Sequence, residues 1–377
     1  MSQMSEHFSP TLMEVNLKSL RANFSSIRSY VNGREVCAVI KANAYGLGAV
    51  ETANALVEEG CKYFAVSIPE EAIELRSAGI TNHILVLGAS PYCSAEELVR
   101  LDIEAACTDV KFADVMSQTA QKQGKVAKLH IKIDSGMVRI GFTTSEFNDA
   151  VDKILCMPSI NIEGIFTNFA VADESRPDWT NHQFSEYNKV LAIAEQKGLN
   201  VKRHVCNSAG ILAHPDKHLD MVRPGLILYG MIPSPETVCA HPITLLPTFE
   251  VKTGVALVRE LPPGTGISYG LRYMTRGKER IAILPIGYAD GITRTLSSKM
   301  SVLIHGQRCP VVGNICMDQM MVDVTGIEDV KTGDEVVIIG KQGDKVITPE
   351  EMASARNTIN YEILNIFQKR VTRVYIK

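Results

Sequence analysis

Short apolar segments separated by longer amphipathic stretches fill the first two-thirds of this 377-residue chain. Eight such segments occur, most of them apolar throughout and bounded by Gly, Asp, Asn or Pro; they span residues 36–41, 62–67, 83–88, 103–107, 128–134, 162–169, 203–208 and 226–230. Continuous apolar strands are typical of a parallel sheet covered on both faces, whereas a sheet with one wet face alternates. The pattern therefore predicts parallel strands that are connected by helices.

Three of the intervening stretches have helical character, at residues 49–59, 69–78 and 184–197. The second carries acidic residues in its first turn, and Gly198 follows the third as a stop signal. Eight strands, each followed by a helix, over roughly 200 residues predict an α/β fold, a TIM-type (β/α)₈ barrel. An open doubly wound sheet has the same periodicity and is the alternative.

The remainder of the chain has a different pattern. From residue 243 onwards, apolar and polar residues alternate between short Gly, Pro or Asp turns, as in a mainly antiparallel β domain. A late helix is expected over residues 349–369 and a last strand over 371–377. We therefore predict a barrel domain at 13–242 and a β domain at 243–377, which the N-terminal segment 1–12 could join.

Charge and cysteine content narrow the possible functions. The formal net charge is −3 and the basic residues form no cluster, so neither nucleic acid nor an anionic membrane surface is expected as a partner. Residues 1–12 lack the basic and apolar regions of a signal peptide, which favours a cytoplasmic location. Nine scattered cysteines without a CxxC pair predict neither a disulfide framework nor a metal site.

Lys41 is the first candidate for chemistry. It ends the first predicted strand, in VIKANAYGLG, and the carboxyl ends of barrel strands carry the reactive groups of such enzymes. Partial desolvation there would lower the pKa of a lysine and make the amine nucleophilic. A lysine that simply reaches solvent is the alternative. CNSAG (206–210) and RPGL (223–226), assigned to loops after strands seven and eight, suit a phosphate, although a helix cap explains CNSAG equally well.

A series of motifs in one order extends this interpretation to nearly the whole chain. They are VIKANAYGLG, IKIDSGMVRIGF, CNSAG, MVRPGLILYG, ISYGLRY, LPIGYADG, GNICMDQM and NTINYE. From about residue 13 to residue 377 the sequence resembles the alanine racemase family of fold-type III pyridoxal-phosphate enzymes. The resemblance implies a barrel with a C-terminal β domain and pyridoxal 5'-phosphate as cofactor. It also implies a homodimeric isomerase that makes D-alanine for peptidoglycan.

Other functions on related folds remain open at this point. A serine or broad-specificity racemase would share the motifs. A fold-type III decarboxylase would carry a Gly-rich phosphate motif and a cross-subunit cysteine, which are not found. A pyridoxal-phosphate carrier would consist of the barrel alone.

The resemblance assigns the cofactor contacts residue by residue. It implies that Lys41 holds pyridoxal phosphate covalently and also serves as one catalytic base. It places further residues near the phosphate, namely Tyr45, Asn207, Ser208, Gly225, Leu226 and Tyr288. Arg223 matches the arginine that faces the pyridine nitrogen. Because arginine keeps its proton at ordinary pH, that nitrogen would stay unprotonated and the ring would be a weaker electron sink.

Residues of the partner subunit are expected to complete the site. The resemblance implies that Tyr269 is the second base, on the opposite face of the substrate, and that it comes from the partner chain. Met317 and Asp318 match substrate contacts made across the dimer interface, with the Met317 backbone meeting the carboxylate. Tyr361 matches a tyrosine that limits side-chain size, which favours alanine over serine.

Arg139 and Lys132 are the last residues to which the resemblance assigns a role in the site. Arg139 matches an arginine near the cofactor's phenolic oxygen and the substrate carboxylate, and Lys132 a lysine that is often carbamylated. A carbamate would be an anion able to orient Arg139. The chain departs from the usual motifs at Asn168 and Leu47, where histidines are common, and at Asn314, where arginine is common. These changes bear on substrate preference and pH optimum.

Overall fold

The structure is a computed structural model that describes residues 10–174, 176–237 and 239–377. Its strands are β1 Leu12–Asn16, β2 Glu35–Val39, β3 Tyr63–Val66, β4 His83–Val86, β5 Glu104–Cys107, β6 Ala127–Asp134, β7 Phe142–Thr143, β8 Ile160–Phe166, β9 Lys202–His204, β10 Met221–Val222, β11 Phe249–Gly254, β12 Leu257–Leu261, β13 Gly266–Ile267, β14 Tyr273–Met274, β15 Glu279–Leu284, β16 Ser301–Ile304, β17 Gln307–Pro310, β18 Met320–Asp323, β19 Glu335–Gln342, β20 Lys345–Ile347 and β21 Thr372–Ile376.

The right-handed helices are α1 Leu17–Tyr30, α2 Ala49–Glu58, α3 Pro69–Ser77, α4 Ala95–Arg100, α5 Val110–Gln123, α6 Thr144–Leu155, α7 Pro177–Gln196, α8 Ser208–Ala213, α9 Pro349–Arg356 and α10 Asn360–Asn365. Short 3₁₀ turns lie at Tyr92–Ser94, Pro215–Lys217, Leu226–Tyr229, Tyr269–Leu271 and Arg294–Leu296. Within the described ranges, no helix is long and apolar enough to cross a bilayer.

The chain divides into two compact units. Ser19–Ala44 and Gly48–Pro247 form one, called the barrel unit here. Residues 10–18, Tyr45–Leu47 and Thr248–Lys377 belong to the other, called the β unit. The units therefore alternate along the chain, since the β unit includes both an N-terminal segment and three residues that directly follow the turn at Lys41.

A parallel sheet forms the centre of the barrel unit. Its strand order is β10-β2-β3-β4-β5-β6-β8-β9, and every pairing along this order is parallel. The end strands β9 and β10 are linked by backbone hydrogen bonds from Asp220 N to Arg203 O (3.1 Å) and from Arg223 N to Cys206 O (2.9 Å). The barrel is thus nearly closed. This confirms the predicted (β/α)₈ fold over the open doubly wound alternative.

The eighth strand is not the predicted one. Residues 226–230 were expected to form it, but Leu226–Tyr229 is a 3₁₀ turn, and Met221–Val222 supplies the strand. Met221 and Val222 pair with Glu35 and Val36 of β2. The apolar run is buried because it packs inside the unit, and burial alone produces the same sequence pattern as a parallel strand.

Local signals explain where several helices begin and end. The Asp109 carboxylate caps α5 by accepting a hydrogen bond from Phe112 N at 2.8 Å, and Gly124 ends that helix with φ 64°. Thr143 and Glu146 form a capping box at the start of α6. Helix α7 begins at Pro177, well before the predicted residue 184, since proline is favoured in a first helical turn.

Antiparallel pairing dominates the β unit. Its largest sheet has the order β17-β16-β19-β11-β1-β21, with β20 added beside β19. Strand β1 pairs antiparallel with β11 and parallel with β21, which puts Leu12–Asn16 in this unit although the predicted barrel domain begins at residue 13. A three-stranded sheet β12-β15-β18 and the hairpin β13-β14 complete the unit.

The single helix predicted at residues 349–369 is two shorter helices. Asn357 ends α9 in the left-handed conformation (φ 60°), and α10 starts at Asn360. The last strand, Thr372–Ile376, lies where the sequence predicts it.

Candidate active site

Lys41 lies in an unusual turn directly after barrel strand β2. The next residues, 42–45, all have positive φ, at 52°, 55°, 52° and 55°, so Lys41–Tyr45 contains a left-handed helical turn. The Glu71 carboxylate supports the turn by accepting hydrogen bonds from Ala42 N (2.5 Å) and Ser67 N (2.7 Å). Burial, with a smaller contribution from Arg139, lowers the pKa of Lys41. The predicted desolvated amine therefore exists at this strand end.

Lys132, in strand β6, is a buried cation with 4% of its surface exposed. Its Nζ donates to Ile133 O at 2.6 Å and lies 5.4 Å from the centre of the Phe166 ring. Burial lowers the pKa of Lys132 to about 7, and the charges of Arg223 and Arg139 act in the same direction. Lys132 is therefore divided between its neutral and charged forms near neutral pH.

Arg139 ends a loop organised by one carboxylate. Asp134 Oδ1 accepts from Gly136 N, Met137 N and Val138 N at 2.9–3.0 Å, and its Oδ2 accepts from Arg139 N at 2.7 Å. These bonds, against the opposing effect of burial, lower the pKa of Asp134. The carboxylate is occupied by backbone donors, and the Arg139 side chain is exposed.

Arg223 is buried and is held by several acceptors. Its Nη2 donates to Thr167 O (2.7 Å), Val205 O (3.2 Å) and Asn168 Oδ1 (3.4 Å), and its Nη1 donates to His204 Nδ1 (3.0 Å). Burial lowers the pKa of Arg223 to about 10. Arg223 thus remains a cation at neutral pH, as the resemblance requires. Asn168 contacts it through a neutral amide.

A hydrogen-bonded chain that the sequence analysis did not identify extends from Arg223 across the barrel. His204 and His130 are joined by a 2.9 Å bond between Nε2 and Nδ1, and His130 Nε2 lies 2.9 Å from Glu104 Oε2. Because a guanidinium only donates, His204 must accept at Nδ1 and donate from Nε2. The same reasoning makes His130 donate to Glu104, so both rings are neutral and their tautomers are defined.

The carboxylate at the end of this chain is strongly stabilised as an anion. Burial alone would raise the pKa of Glu104, but hydrogen bonds from His130 and His83 outweigh it and lower the pKa to about 2. Burial and the charge of Arg223 hold the pKa of His204 well below its usual value. Only Glu104 had a signal in the sequence, as the single charged residue of β5, because β6 and β9 each contain several polar residues.

The loop residues predicted near a phosphate are tied to one another. Ser208 Oγ accepts from Gly225 N at 3.0 Å and from Ile227 N at 3.5 Å. Asn207 caps the short helix α8 through a bond from Gly210 N to its Oδ1 (3.0 Å), and its Nδ2 donates to Phe169 O (3.3 Å). The structure shows the helix cap and a link between two strand-end loops, and the phosphate contact stays a prediction. Leu226 is fully buried behind them.

The remaining candidate residues lie in the β unit. Tyr269 is 73% exposed in this chain, in the 3₁₀ turn Tyr269–Leu271, and its carbonyl accepts from Asn314 Nδ2 at 2.6 Å. Tyr361, in α10, is partly buried, and its carbonyl accepts from Asn365 Nδ2.

Tyr288 and Met317 belong to two loops in close contact. Backbone hydrogen bonds run from Tyr288 N to Cys316 O (3.1 Å) and from Ala289 N to Met317 O (3.0 Å). Both side chains are exposed. Asp318 pairs with Arg370, whose Nη1 donates to Asp318 Oδ1 at 2.8 Å. That ion pair holds the loop against the C-terminal segment.

Tyr45 and Leu47 are buried in the three-residue segment assigned to the β unit. Burial raises the pKa of Tyr45 to about 12, so its phenol is neutral. The Arg373 guanidinium fixes the segment by donating from Nε to Gly46 O at 3.0 Å. The motif VIKANAYGLG is thus divided between the two units after Ala44, three residues beyond Lys41.

A desolvated lysine, a buried arginine and a polar loop lie at the strand ends of a (β/α)₈ barrel, where enzymes of this class carry their reactive groups. Two family models cover almost the whole chain: "Alanine racemase, N-terminal domain" over residues 15–233 and "Alanine racemase, C-terminal domain" over residues 248–375. The chain belongs to the alanine racemase family.

Known proteins agree with this assignment over their full lengths. "Alanine racemase 2" of Caldanaerobacter subterraneus subsp. tengcongensis is 43% identical over 99% of this chain and 96% of its own. The solved alanine racemase of Clostridium difficile 630 is 42% identical with a TM-score of 0.94, over 98% of this chain and 96% of that one. The alanine racemase of Bartonella henselae, solved with covalently bound pyridoxal phosphate, is 30% identical with a TM-score of 0.88, over 98% and 100%.

Proposed function

We propose that this chain is an isomerase that interconverts L-alanine and D-alanine with pyridoxal 5'-phosphate. The observation that carries the proposal is the Lys41 amine, which follows a barrel strand and whose pKa is lowered by burial and by Arg139. Relatives named alanine racemase, similar along 98–99% of the chain, support the same reaction. The serine-racemase and decarboxylase alternatives have no comparable support.

The charges of the barrel unit fit an anionic aldehyde. The cations Lys41, Lys132, Arg139 and Arg223 influence one another, and each of the two lysines has its pKa lowered partly by a neighbouring guanidinium. An anionic group would relieve this repulsion. We propose that Lys41 holds pyridoxal phosphate, that Arg223 faces its pyridine nitrogen, and that further residues of the barrel unit contact its phosphate, namely Asn207, Ser208, Gly225 and Leu226.

In the β unit, Tyr45 and Tyr288 are proposed as further phosphate contacts. Tyr45 is neutral because burial raises its pKa to about 12, so its phenol keeps a proton to donate. The Tyr288 side chain is exposed and its backbone is fixed by Cys316 O. A protonated phenol at Tyr45 and an exposed phenol on a fixed backbone at Tyr288 both suit a contact to an anion.

When bound, pyridoxal phosphate withdraws electrons from the substrate and makes its α-hydrogen acidic. Racemisation also requires that a proton leave one face of the α-carbon and that another arrive on the opposite face. We propose that Lys41 Nζ exchanges the proton on one face and the Tyr269 hydroxyl of a partner chain exchanges it on the other. The high exposure of Tyr269 in the single chain supports a role toward a second copy.

Three further residues are proposed to select the substrate, namely Arg139, Met317 and Tyr361. The exposed Arg139 guanidinium suits a carboxylate, for which its planar fork provides paired donors. Met317 is proposed to meet the same carboxylate through its backbone and Tyr361 to limit side-chain size. Asp318, also a predicted substrate contact, is paired with Arg370, so we propose that it positions the Met317 loop.

Three further expectations remain predictions. They are a cytoplasmic location, supply of D-alanine for peptidoglycan, and carbamylation of Lys132. The last is consistent with a pKa of about 7, because only a neutral amine reacts with carbon dioxide.

The test begins with the purified protein loaded with pyridoxal phosphate. Racemisation of L-alanine, L-serine and L-lysine is measured in parallel, and we expect alanine to be the preferred substrate. Borohydride reduction followed by peptide mapping should place the pyridoxyl group on Lys41, with Lys41→Ala as the unlabelled control. Preference for another amino acid, release of carbon dioxide, or label on a different lysine would contradict the proposal.

A further inference from the structure

The backbone around Tyr269 is held in a conformation that ordinary residues seldom adopt. Ser268 has φ 63° and ψ −176°, Gly270 has φ 73° and Leu271 has φ 47°. Positive φ at a non-glycine residue is unfavourable, and the Ser268 conformation is nearly restricted to glycine. Such a backbone persists only where its surroundings constrain it. Tyr269 lies between these residues with an exposed side chain, so its own side-chain packing is not the constraint.

The constraint comes from the loop that contains Asn314. Ser268 Oγ donates to Asn314 O at 2.5 Å, and Asn314 Nδ2 donates to Tyr269 O at 2.6 Å. Each loop therefore gives one side chain to the backbone of the other. We call this reciprocal pair of hydrogen bonds the Ser268–Asn314 clamp.

Close approach of the two backbones makes the clamp possible. Gly313 has φ 72°, and a Cβ at that position would lie 2.9 Å from Ile267 O and 3.1 Å from Ser268 Cβ. The Asn314 side is anchored in turn, since Ile315 N donates to Ser297 Oγ at 3.0 Å and Cys316 N donates to Gln319 O at 2.9 Å. The short amide of Asn314 thus reaches Tyr269 from a supported loop.

We infer that Asn314 is a positioning residue for Tyr269. Its amide holds the Tyr269 carbonyl and thereby sets where the phenol points, without itself contacting substrate. The inference rests on the proposed function of Tyr269 as a proton-transferring group. The resemblance implies an arginine at this position, and the asparagine present here supplies the contact instead.

Three substitutions separate hydrogen bonding from side-chain volume. Asn314→Asp keeps the size but removes the donor and places a carboxylate against the Tyr269 carbonyl. Asn314→Ala removes both, and Asn314→Gln keeps an amide. Asn82→Ala is the matched control, because the Asn82 amide also donates to a backbone carbonyl, Cys61 O at 2.9 Å, in the barrel unit.

In the holoenzyme we expect kcat to fall about tenfold for Asn314→Ala, which corresponds to one lost hydrogen bond. The loss should be larger for Asn314→Asp and smaller for Asn314→Gln, while KM changes less than about twofold, because the contact orients a reacting group rather than binding substrate. The enantiomers have equal free energies, so kcat/KM stays equal in both directions. The selective readout is therefore the α-deuterium isotope effect, which should rise for the enantiomer whose hydrogen passes to Tyr269.

A second readout is independent of turnover. The protein is labelled with 3-fluorotyrosine, and the fluorine NMR signal of Tyr269 is identified by its absence in Tyr269→Phe. That signal should shift or broaden in Asn314→Ala and Asn314→Asp and remain unchanged in Asn82→Ala. The measurement is made on both apoenzyme and holoenzyme.

Double substitution distinguishes failure of the clamp from failure of the proposed function. In the Tyr269→Phe background, Asn314→Ala should cause little further loss, because both changes act on one group. Normal racemisation by Tyr269→Phe alone would refute the proposed base. An impaired Tyr269→Phe together with unchanged rates and fluorine signals in the Asn314 variants would overturn the clamp. Additive losses with a raised KM would also overturn it, because they would place Asn314 in substrate access.

Discussion

At the scale of single residues, burial lowers the pKa of cationic groups in the candidate site and raises the pKa of a tyrosine. It lowers the pKa of Lys132 to about 7 and that of Arg223 to about 10, and it raises the pKa of Tyr45 to about 12. The cause is the same in each case, since a low-dielectric surrounding disfavours whichever form is charged. Near neutral pH, Lys132 is therefore partly neutral, Arg223 is a cation and the Tyr45 phenol is neutral.

Lys132 leads to a prediction about modification. Carbamate formation joins the neutral amine to carbon dioxide and releases a proton, so it is suppressed below the amine pKa. At a fixed pressure of ¹³C-labelled carbon dioxide, we expect the carbamate NMR signal of Lys132 to rise as pH increases through about 7.

Lys132→Met should lack that signal, and Lys128→Met, which removes a lysine from the same strand, should keep it. Lys128 Nζ pairs with Asp102 at 2.7 Å and provides a charged reference. A signal that survives in Lys132→Met would contradict the assignment.

At the scale of elements, the turn after β2 is the most unusual feature of the barrel unit. Residues 42–45 carry side chains at φ angles that glycine tolerates best. Asn43 contributes to the turn, since its Oδ1 accepts from Ala49 N at 2.8 Å at the start of α2. The left-handed turn allows the chain to pass directly from β2 through Lys41 to α2, and it does so at the cost of local strain.

A glycine substitution should reveal that strain. Ala42 is exposed with φ 52°, so Ala42→Gly should leave stability unchanged or raise it by up to about 1 kcal/mol, because relief of the left-handed conformation offsets the greater freedom of the unfolded chain.

Ala192→Gly is the matched control, at an exposed position inside α7, where it should cost about 0.5–1 kcal/mol. Urea unfolding of both variants measures the difference. Equal destabilisation by the two changes would mean that the turn holds no strain that glycine relieves.

At the scale of the whole molecule, the proposed chemistry is divided between two units. Lys41, Arg139 and Arg223 belong to the barrel unit, whereas Tyr269 and Met317 belong to the β unit. The β unit exposes several large apolar side chains on the single chain, Tyr269, Leu271 and Met317 among them. Their exposure is compatible with the proposed homodimer.

Complementation tests the shared site. Lys41→Ala and Tyr269→Ala are each expected to be nearly inactive. In a mixed dimer one site carries both substitutions and the other carries neither, so equilibrated mixing should recover about a quarter of wild-type activity.

Subunit exchange is verified by mass spectrometry of differently tagged chains. Tyr269→Ala mixed with Tyr269→Phe serves as the control and should not recover. If activity stays at the level of the separate variants after exchange, each site is formed by one chain.

Much of the fold and of the candidate site could be predicted because the responsible signals are local. Buried parallel strands are continuously apolar, and turns require Gly, Pro or Asp, so seven of the eight barrel strands and the change to an antiparallel domain are predictable from the sequence, whereas β1 and β7 were not predicted. Lys41 was identifiable for the same reason, since it directly follows such a strand.

Other features were decided only by the tertiary structure. Met221–Val222 is too short to carry a periodic signal, and its pairing with β2 makes it a strand, while the more apolar Leu226–Tyr229 becomes a 3₁₀ turn. The chain from Arg223 through His204 and His130 to Glu104 joins residues 19, 74 and 26 positions apart. Their hydrogen bonds, and the pKa changes that follow, exist only because the nearly closed barrel brings buried polar groups of different strands together, where no water can replace a missing partner.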